Sequence, residues 1–239
     1  MPDMPPPERG DLPSFVLDLA TRLGAQAAPD GSTVALTQTG RMKRALGKAA
    51  WMSFTARQSI ETRACAFAWR ARFGPLGLIS VCDALDQGVG RLDVRALGFI
   101  PMVRMPHTAA LTRGELMRYL AELAWAPDAI LANTALRWRE GGAHDIIVGA
   151  GEGASAVEIS LGLDSAGRIA TAFAPDRPRS AIDPILPTPW RGRFSDYRLH
   201  QGRWIPFAGE VAWEIDGREE VYWQGRIESW ARGPGLTWR

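Results

Sequence analysis

Charged side chains occur among aromatic residues in the middle of this 239-residue sequence, a pattern typical of a pocket for a partly polar ligand. Arg118 or Arg95 would hold an anionic head group, while indole and phenol rings enclose an apolar body. The candidate binding residues are Trp69, Asp83, Arg95, Arg118, Tyr119, Glu122, Trp125 and Tyr197. Our first hypothesis is therefore a binding protein for an apolar or amphipathic, lipid-like small molecule.

The same spacing supports a purely structural interpretation. Arg118 and Glu122 are four residues apart, so they can pair across one turn of a helix. With Asp83 they would form a half-buried ion network that orients the helix and needs no ligand. Pocket and network both remain open at this point.

Two further functions are compatible with these residues. An enzyme acting on a hydrophobic substrate would use Glu122, Asp83 or Tyr197 as acid or base and Arg118 to stabilise negative charge. It predicts a group with strongly shifted ionisation inside the cavity, although no Gly-x-Ser-x-Gly, His-Glu-x-x-His or phosphate-loop motif is present. A protein-interaction module would instead have a filled core and an exposed apolar surface.

Metal ions, cofactors and nucleic acids are not expected as partners. The histidines, His107, His144 and His200, are too far apart for a local metal motif, and Cys65 and Cys82 lie in apolar surroundings without a neighbouring thiol pair. We interpret both cysteines as small apolar residues, and whether they lie close together stays open. The formal charge is +2, with basic and acidic residues mixed along the chain, which argues against a nucleic-acid footprint.

The elements that position these residues are mainly strands. Between residues 51 and 105 apolar and polar residues alternate; for example, Trp69 and Ala71 alternate with Arg70 and Arg72. Turn sequences such as Gly74-Pro75-Leu76-Gly77 separate the strands. No helix of crossover length intervenes, so the strands are predicted to be antiparallel. The fold class is mainly β (α+β): a strongly curved open sheet or incomplete barrel of about ten strands.

A central helix is predicted to cover this sheet. Thr112 and Glu115 have the spacing of a capping box at the start of an amphipathic segment that ends at Leu123. Short N-terminal helices are predicted from Pro13 to Leu23 and from Arg41 to Leu46.

The chain is predicted to consist of a proline-rich disordered tail, 1–11, and a single domain, 12–239. No segment has the length of a membrane span and no secretory signal is present, so we expect a cytoplasmic protein without an integral membrane segment. Its oligomeric state is left open.

Several motifs together resemble an uncharacterised bacterial family, a domain of unknown function, over roughly residues 40 to 230. They are Gly40-Arg41-Met42, Trp51-x-x-Phe54-x-Ala56-x-Gln58, Arg118-Tyr119-Leu120-Ala121-Glu122 with Trp125-x-Pro127, and Glu210-Val211-x-Trp213. The family is distantly similar to the β-clam fold of LolA/LolB-like lipoprotein carriers. The resemblance implies a cavity for acyl chains or another apolar ligand. Many members carry an amino-terminal membrane segment, which this sequence is expected to lack.

Overall fold

One antiparallel sheet organises the computed structural model, which describes residues 12–27, 32–97, 99–142, 144–179 and 184–234. Its strands are β1 Ser32–Lys43, β2 Trp51–Glu61, β3 Phe67–Phe73, β4 Ile79–Asp86, β5 Val89–Ala96, β6 Ile100–Arg104, β7 Arg137–Glu140, β8 Asp145–Ala150, β9 Val157–Leu163, β10 Ile169–Pro178, β11 Pro187–His200, β12 Arg203–Ile215 and β13 Arg218–Pro234. The predicted tail, 1–11, lies outside the described residues.

The strand order is β6-β5-β4-β3-β2-β1-β13-β12-β11-β10-β9-β8-β7. Nearly every strand pairs with its neighbour in the chain, and the long-range pairing of β1 with β13 joins the two halves. The predicted antiparallel open sheet is confirmed, with thirteen strands in the described part of the chain instead of about ten. The helix predicted at 41–46 is wrong, because residues 41–43 continue β1 and pair with β2, and Arg41 and Met42 also pair with β13.

The sheet curls around a central helix, α2 (Ala109–Ala121). This helix packs against β4 and β5 near one edge and against β8, β9 and β10 near the other. In a flat sheet these groups would lie roughly 30 Å or more apart, whereas a helix is only about 10–12 Å across. Both ends of the sheet must therefore fold over α2, which confirms the predicted curvature and the central covering helix.

Helix α2 begins one turn earlier than the sequence predicted. Thr108 is its N-cap and accepts a hydrogen bond from the Leu111 N–H at 3.1 Å, so the capping box of Thr112 and Glu115 is wrong. The Thr112 hydroxyl instead accepts from the Gly90 N–H on β5 at 3.0 Å. A Cβ at Gly90 would stand 2.9–3.0 Å from backbone atoms of Leu111 and Thr112, so glycine permits this close contact.

Two further short α-helices lie in the described part of the chain. Helix α1 (Ser14–Leu23) is confirmed and ends at Gly24, whose φ of 69° is the left-handed conformation that terminates many helices. Helix α3 (Asp128–Ala132) follows α2 after a short 3₁₀ turn. Arg203 and Arg232 both donate to the buried Asp128, which fixes α3 against the sheet.

Alternation along the strands separates a buried inner face from an exposed outer one. On β3 the side chains of Phe67 and Trp69 are buried, whereas those of Arg70 and Arg72 are exposed, so the strand has the one solvent-exposed face that its alternation predicted. The inner faces of the curled sheet and α2 enclose the site described next.

Candidate functional site

A cavity of about 410 Å³ lies between α2 and the inner face of the curled sheet. Its walls come from α2 and from strands of both halves of the sheet, so it exists only because the sheet is curled. The lining residues are Gln38, Met42, Gln58, Trp69, Val81, Asp83, Leu92, Val94, Met105, Ala110, Leu111, Gly114, Glu115, Arg118, Glu122, Trp125, Arg177, Pro178, Arg179, Trp190, Val211, Trp213, Tyr222 and Trp223.

Tryptophan dominates the apolar wall, since five of the ten tryptophans of the chain line the cavity. The indole N–H groups of Trp69, Trp125 and Trp190 donate to Gln38, Pro206 O and the Tyr222 hydroxyl at 2.8, 3.0 and 3.1 Å. These polar edges are therefore satisfied within the protein. The rings offer their carbon faces to the cavity, which suits an apolar guest.

Glycine lets one of these rings lie flat on the sheet. A Cβ at Gly225 would stand 2.4 Å from the Trp223 ring, so a larger residue there would displace the indole. Trp223 also stacks on Phe54, with ring centroids 5.8 Å apart. This part of the wall is rigid because it is packed on both sides.

An ion network occupies one side of the cavity. Arg118 Nη1 donates to Asp83 Oδ2 at 2.6 Å and Arg118 Nε donates to Glu122 Oε1 at 2.8 Å. The guanidinium also lies over the rings of Phe67 and Trp69, at 4.7 and 5.3 Å from their centroids. The predicted pairing of Arg118 with Glu122 and Asp83 is confirmed, and two carboxylates neutralise this arginine.

A chain of donors extends the network across the sheet. Trp69 donates to the Gln38 amide oxygen, and Gln38 Nε2 donates to Gln58 Oε1 at 3.2 Å. Gln58 Nε2 in turn donates to Glu122 Oε2. Both oxygens of Glu122 thus accept hydrogen bonds, which is the pattern of an ionised carboxylate.

Electrostatics keep Arg118 charged in this buried place. Burial alone lowers its pKa, but the nearby carboxylates outweigh that effect, so the pKa is raised. Burial raises the pKa of Glu122, while donation from Arg118 and Gln58 opposes the rise. The network is self-contained and leaves no free charge on Arg118 for a ligand.

Glu115 forms an unusual pair with Asp83 beside this network. Burial, followed by repulsion from Asp83, raises the pKa of Glu115 well above its ordinary value. Glu115 Oε2 and Asp83 Oδ1 are both buried and, as ionised oxygens, find no donor among the described residues. We infer that the Glu115 carboxyl is protonated and donates to Asp83, which gives both groups a partner.

Arg177 on β10 is a buried arginine that, unlike Arg118, is not paired with a carboxylate among the described residues. It is 8% exposed, its Nε donates to Gly114 O at 3.2 Å, and its guanidinium lies 4.6 and 5.6 Å from the ring centroids of Trp190 and Trp213. Among the described side chains no carboxylate lies within 4.0 Å of it. Arg177 is close enough to Glu115 to lower its pKa, but the two form no ion pair, so this buried guanidinium is suited to an anionic ligand.

The structure brings five of the eight candidate residues to the cavity: Trp69, Asp83, Arg118, Glu122 and Trp125. The other three lie elsewhere. Arg95 is exposed because it follows Val94 on β5 and points to the outer face. Tyr119 follows Arg118 on α2, faces away, and donates to Glu61 O at 3.0 Å. Tyr197 donates to Ile169 O at 2.6 Å.

Sequence reasoning missed Glu115, Arg177 and Trp223 as site residues. Glu115 was assigned to a helix cap, and nothing in the sequence around Arg177 marks it as buried. A usable signal existed for Gln58, because it is a polar residue whose neighbours two positions away on the strand, Ala56 and Ile60, are apolar. The two cysteines are free and half-buried.

Glu115→Gln is expected to make stability less dependent on pH. Folding raises the Glu115 pKa above its unfolded value of about 4.3. The contribution of Glu115 to the free energy of unfolding is therefore fully present below about pH 4.3 and is lost as pH rises through the folded pKa. The glutamine amide is a neutral donor at every pH. Urea unfolding at pH 5 and pH 8 measures the free energy of unfolding of both proteins. From pH 5 to pH 8 this free energy should rise for the variant relative to the wild type, by up to about 1.4 kcal/mol per pH unit. A constant difference would contradict a protonated Glu115.

The fold and site together define a class of protein: a curled antiparallel sheet closed by one helix over a tryptophan-lined cavity. The chain belongs to a family of unknown function, DUF6920, to which residues 10–231 match. Membership of an uncharacterised family is thereby confirmed. No curated protein matches the sequence. Within the described ranges no helix is long and apolar enough to cross a membrane.

Two solved structures are distantly similar to the chain. A LolA superfamily protein from Nitrosomonas europaea shares 10% identity at a TM-score of 0.44, with 90% of this chain and 92% of that chain covered. A β-barrel-like protein of the domain of unknown function DUF1849 from Brucella abortus shares 8% identity at a TM-score of 0.24, with 87% and 100% covered. The predicted distant LolA-like similarity is thus present, and at these values it indicates nothing about a ligand.

Proposed function

We propose that this protein binds an apolar or amphipathic, lipid-like small molecule in the cavity under α2. The observation that carries the proposal is the cavity of about 410 Å³ with five tryptophans in its wall. Ligand sites for small molecules usually have volumes of about 300–1,000 Å³ and mostly apolar linings with few polar groups. The cavity fits this description, since aliphatic residues such as Val94 and Met105 complete the indole wall.

The head group of the ligand pairs with Arg177 in this proposal. Arg118, the anchor that the sequence suggested, is already neutralised by Asp83 and Glu122. The guanidinium of Arg177 lies over two tryptophan rings and forms no ion pair with a carboxylate among the described residues. An anion at the end of an apolar chain would satisfy this charge while the chain lies along the tryptophans.

Native mass spectrometry of protein purified from its own host tests the proposal. We expect a reproducible small molecule that is released when the protein is denatured and extracted. Ala110 lines the cavity, so Ala110→Phe should lose that molecule by filling its space, whereas Ala109→Phe, on the exposed side of the same helical turn, should retain it. Equal retention by both variants, or protein without any molecule, would overturn the proposal.

A second function, an enzyme acting on a hydrophobic substrate, is favoured by Glu115. Its raised pKa keeps a proton at the cavity wall, as a general acid requires. Incubating the extracted molecule with wild type and with Glu115→Gln separates the two functions. A change of its mass that only the wild type produces would establish catalysis, and an unchanged mass with both would establish binding alone.

A further inference from the structure

Exposed apolar side chains are concentrated at one corner of the sheet. The turn after β3 and the turn after β5 lie side by side there, because the Leu97 N–H donates to Leu78 O at 2.6 Å. Seven of the eleven large apolar side chains that are exposed in the described residues belong to this corner. We call them the apolar rim: Leu76, Leu78, Leu97, Phe99, Ile100, Met102 and Val103.

The side chains of the apolar rim are strongly exposed to solvent. Leu76 is 92% and Phe99 is 72% exposed, and all five residues of the edge strand β6 are exposed. Single exposed apolar residues are ordinary, but a contiguous group of this kind marks a surface that meets a partner.

Arginines cover the outer face of the strands that carry the rim. Strand pairing places Arg57 opposite Arg70, and Arg72 and Arg95 both opposite Ser80. The basic face consists of the exposed residues Arg57, Arg70, Arg72, Arg91, Arg95 and Arg104. This local excess of one sign was not apparent from the sequence, because the strands bring together arginines that are far apart in the chain.

Acidic residues offset this charge only in part. On the outer face of the same five strands, within the described residues, they are Glu61, Asp86 and Asp93. Asp93 is 3.6 Å from Arg104, and the other two lie at the opposite end of the sheet from the rim. Within the described residues, Arg72 and Arg95 therefore lie at the end next to the rim without an acidic residue of these strands beside them.

We propose that the apolar rim and the basic face together dock the protein on an anionic lipid bilayer. Apolar side chains enter the boundary between head groups and acyl chains, and neighbouring arginines meet the anionic head groups. A nucleic acid would satisfy the arginines, but it would leave the leucines and Met102 of the rim in water. The bilayer accounts for both features.

Docking would bring the cavity close to the lipid surface. Val81 and Val94 line the cavity from the inner face of β4 and β5, and Leu97 of the rim is three residues beyond Val94. The inference nevertheless does not depend on the proposed cavity ligand, because it rests on the outer face and the edge of the sheet. The cavity-filling variant Ala110→Phe should accordingly bind vesicles as the wild type does.

Vesicle co-sedimentation tests the docking surface. The full chain should sediment with phosphatidylcholine vesicles that contain phosphatidylglycerol, and not with pure phosphatidylcholine, and the binding should fall as salt rises. The pair Arg72→Glu with Arg95→Glu should weaken binding at least tenfold, since each basic residue contributes about fivefold. Phe99→Asp should also weaken binding at least tenfold, because a large apolar side chain no longer enters the bilayer. All three positions are exposed, so the variants are expected to fold.

Matched controls are Leu199→Asp and Arg218→Glu, exposed positions in the other half of the sheet, and neither should change binding. No sedimentation of the wild type, or equal sedimentation of every variant, would overturn the docking proposal. So would loss of binding in the arginine pair alone, combined with displacement of the vesicles by an oligonucleotide, because that result identifies a nucleic-acid surface.

Discussion

Arg118→Met should lower the free energy of unfolding by about 3–5 kcal/mol, because it leaves Asp83 and Glu122 without their shared cation in a buried place. The methionine side chain keeps contact with Phe67 and Trp69, so most of the loss reports the electrostatic network. Urea unfolding followed by circular dichroism measures the difference.

Arg139→Met is the matched control for this prediction. Arg139 also pairs with a carboxylate, that of Glu158 at 2.7 Å, but both side chains are more than half exposed. Water already solvates both charges, so no measurable change is expected. Replacing the triad Asp83, Arg118 and Glu122 together by Leu, Met and Leu should recover part of the loss, because no unpaired charge remains, although Gln58 and Glu115 lose their acceptors. A loss as small as that of the control would show that the network does not hold α2 on the sheet.

Arg177→Met should weaken binding of a long-chain carboxylate by about tenfold to hundredfold and leave binding of the corresponding alcohol nearly unchanged. A hydrogen-bonded charge pair in a buried site contributes roughly 1.5–3 kcal/mol, which corresponds to this range. The alcohol makes the same apolar contacts but carries no charge for Arg177. Isothermal titration calorimetry with stearate, stearyl phosphate and stearyl alcohol measures the three affinities and distinguishes a carboxylate head group from a phosphate.

Arg139→Met, on the exposed strand β7 and outside both the cavity and the basic face, is the control for Arg177 and should leave all three affinities unchanged. If Arg177→Met weakens the alcohol as much as the carboxylate, Arg177 serves only to pack against Trp190 and Trp213. If neither ligand is affected, the head group does not reach Arg177, and the anchor assigned to the cavity is wrong.

The architecture was predictable because it depends on local patterns. Alternation around Trp69 predicted a strand with one solvent-exposed face, as β3 has, although which face the tryptophans occupy was left open, and turn sequences predicted the antiparallel connections. The pairing of Arg118 with Glu122 followed from one helical turn. The segment at 41–46 was misassigned because its residues are compatible with a helix, and pairing with β13, far along the chain, made part of it a strand.

The site was less predictable because it depends on contacts between distant strands. Arg177 and Trp223 meet α2 only after the sheet curls, and no local pattern encodes that curvature. Arg95 was placed in the pocket because its charge suggested an anchor. It is next to Val94 on β5, and because adjacent residues of a strand point to opposite faces, its side chain lies on the outer face. Glu115 was missed because an apparent capping box explained it, whereas Thr108 caps the helix.

The central claim, that the cavity holds an apolar ligand, is tested most directly by quenching of tryptophan fluorescence with dibrominated stearic acid. Bromine quenches indoles that it contacts, and five of the ten indoles line the cavity. We predict strong quenching that saturates at one ligand per chain, weak change with unbrominated stearic acid, and loss of quenching in Ala110→Phe but not in Ala109→Phe. Absence of quenching in the wild type, or equal quenching in both variants, would contradict a ligand in the cavity.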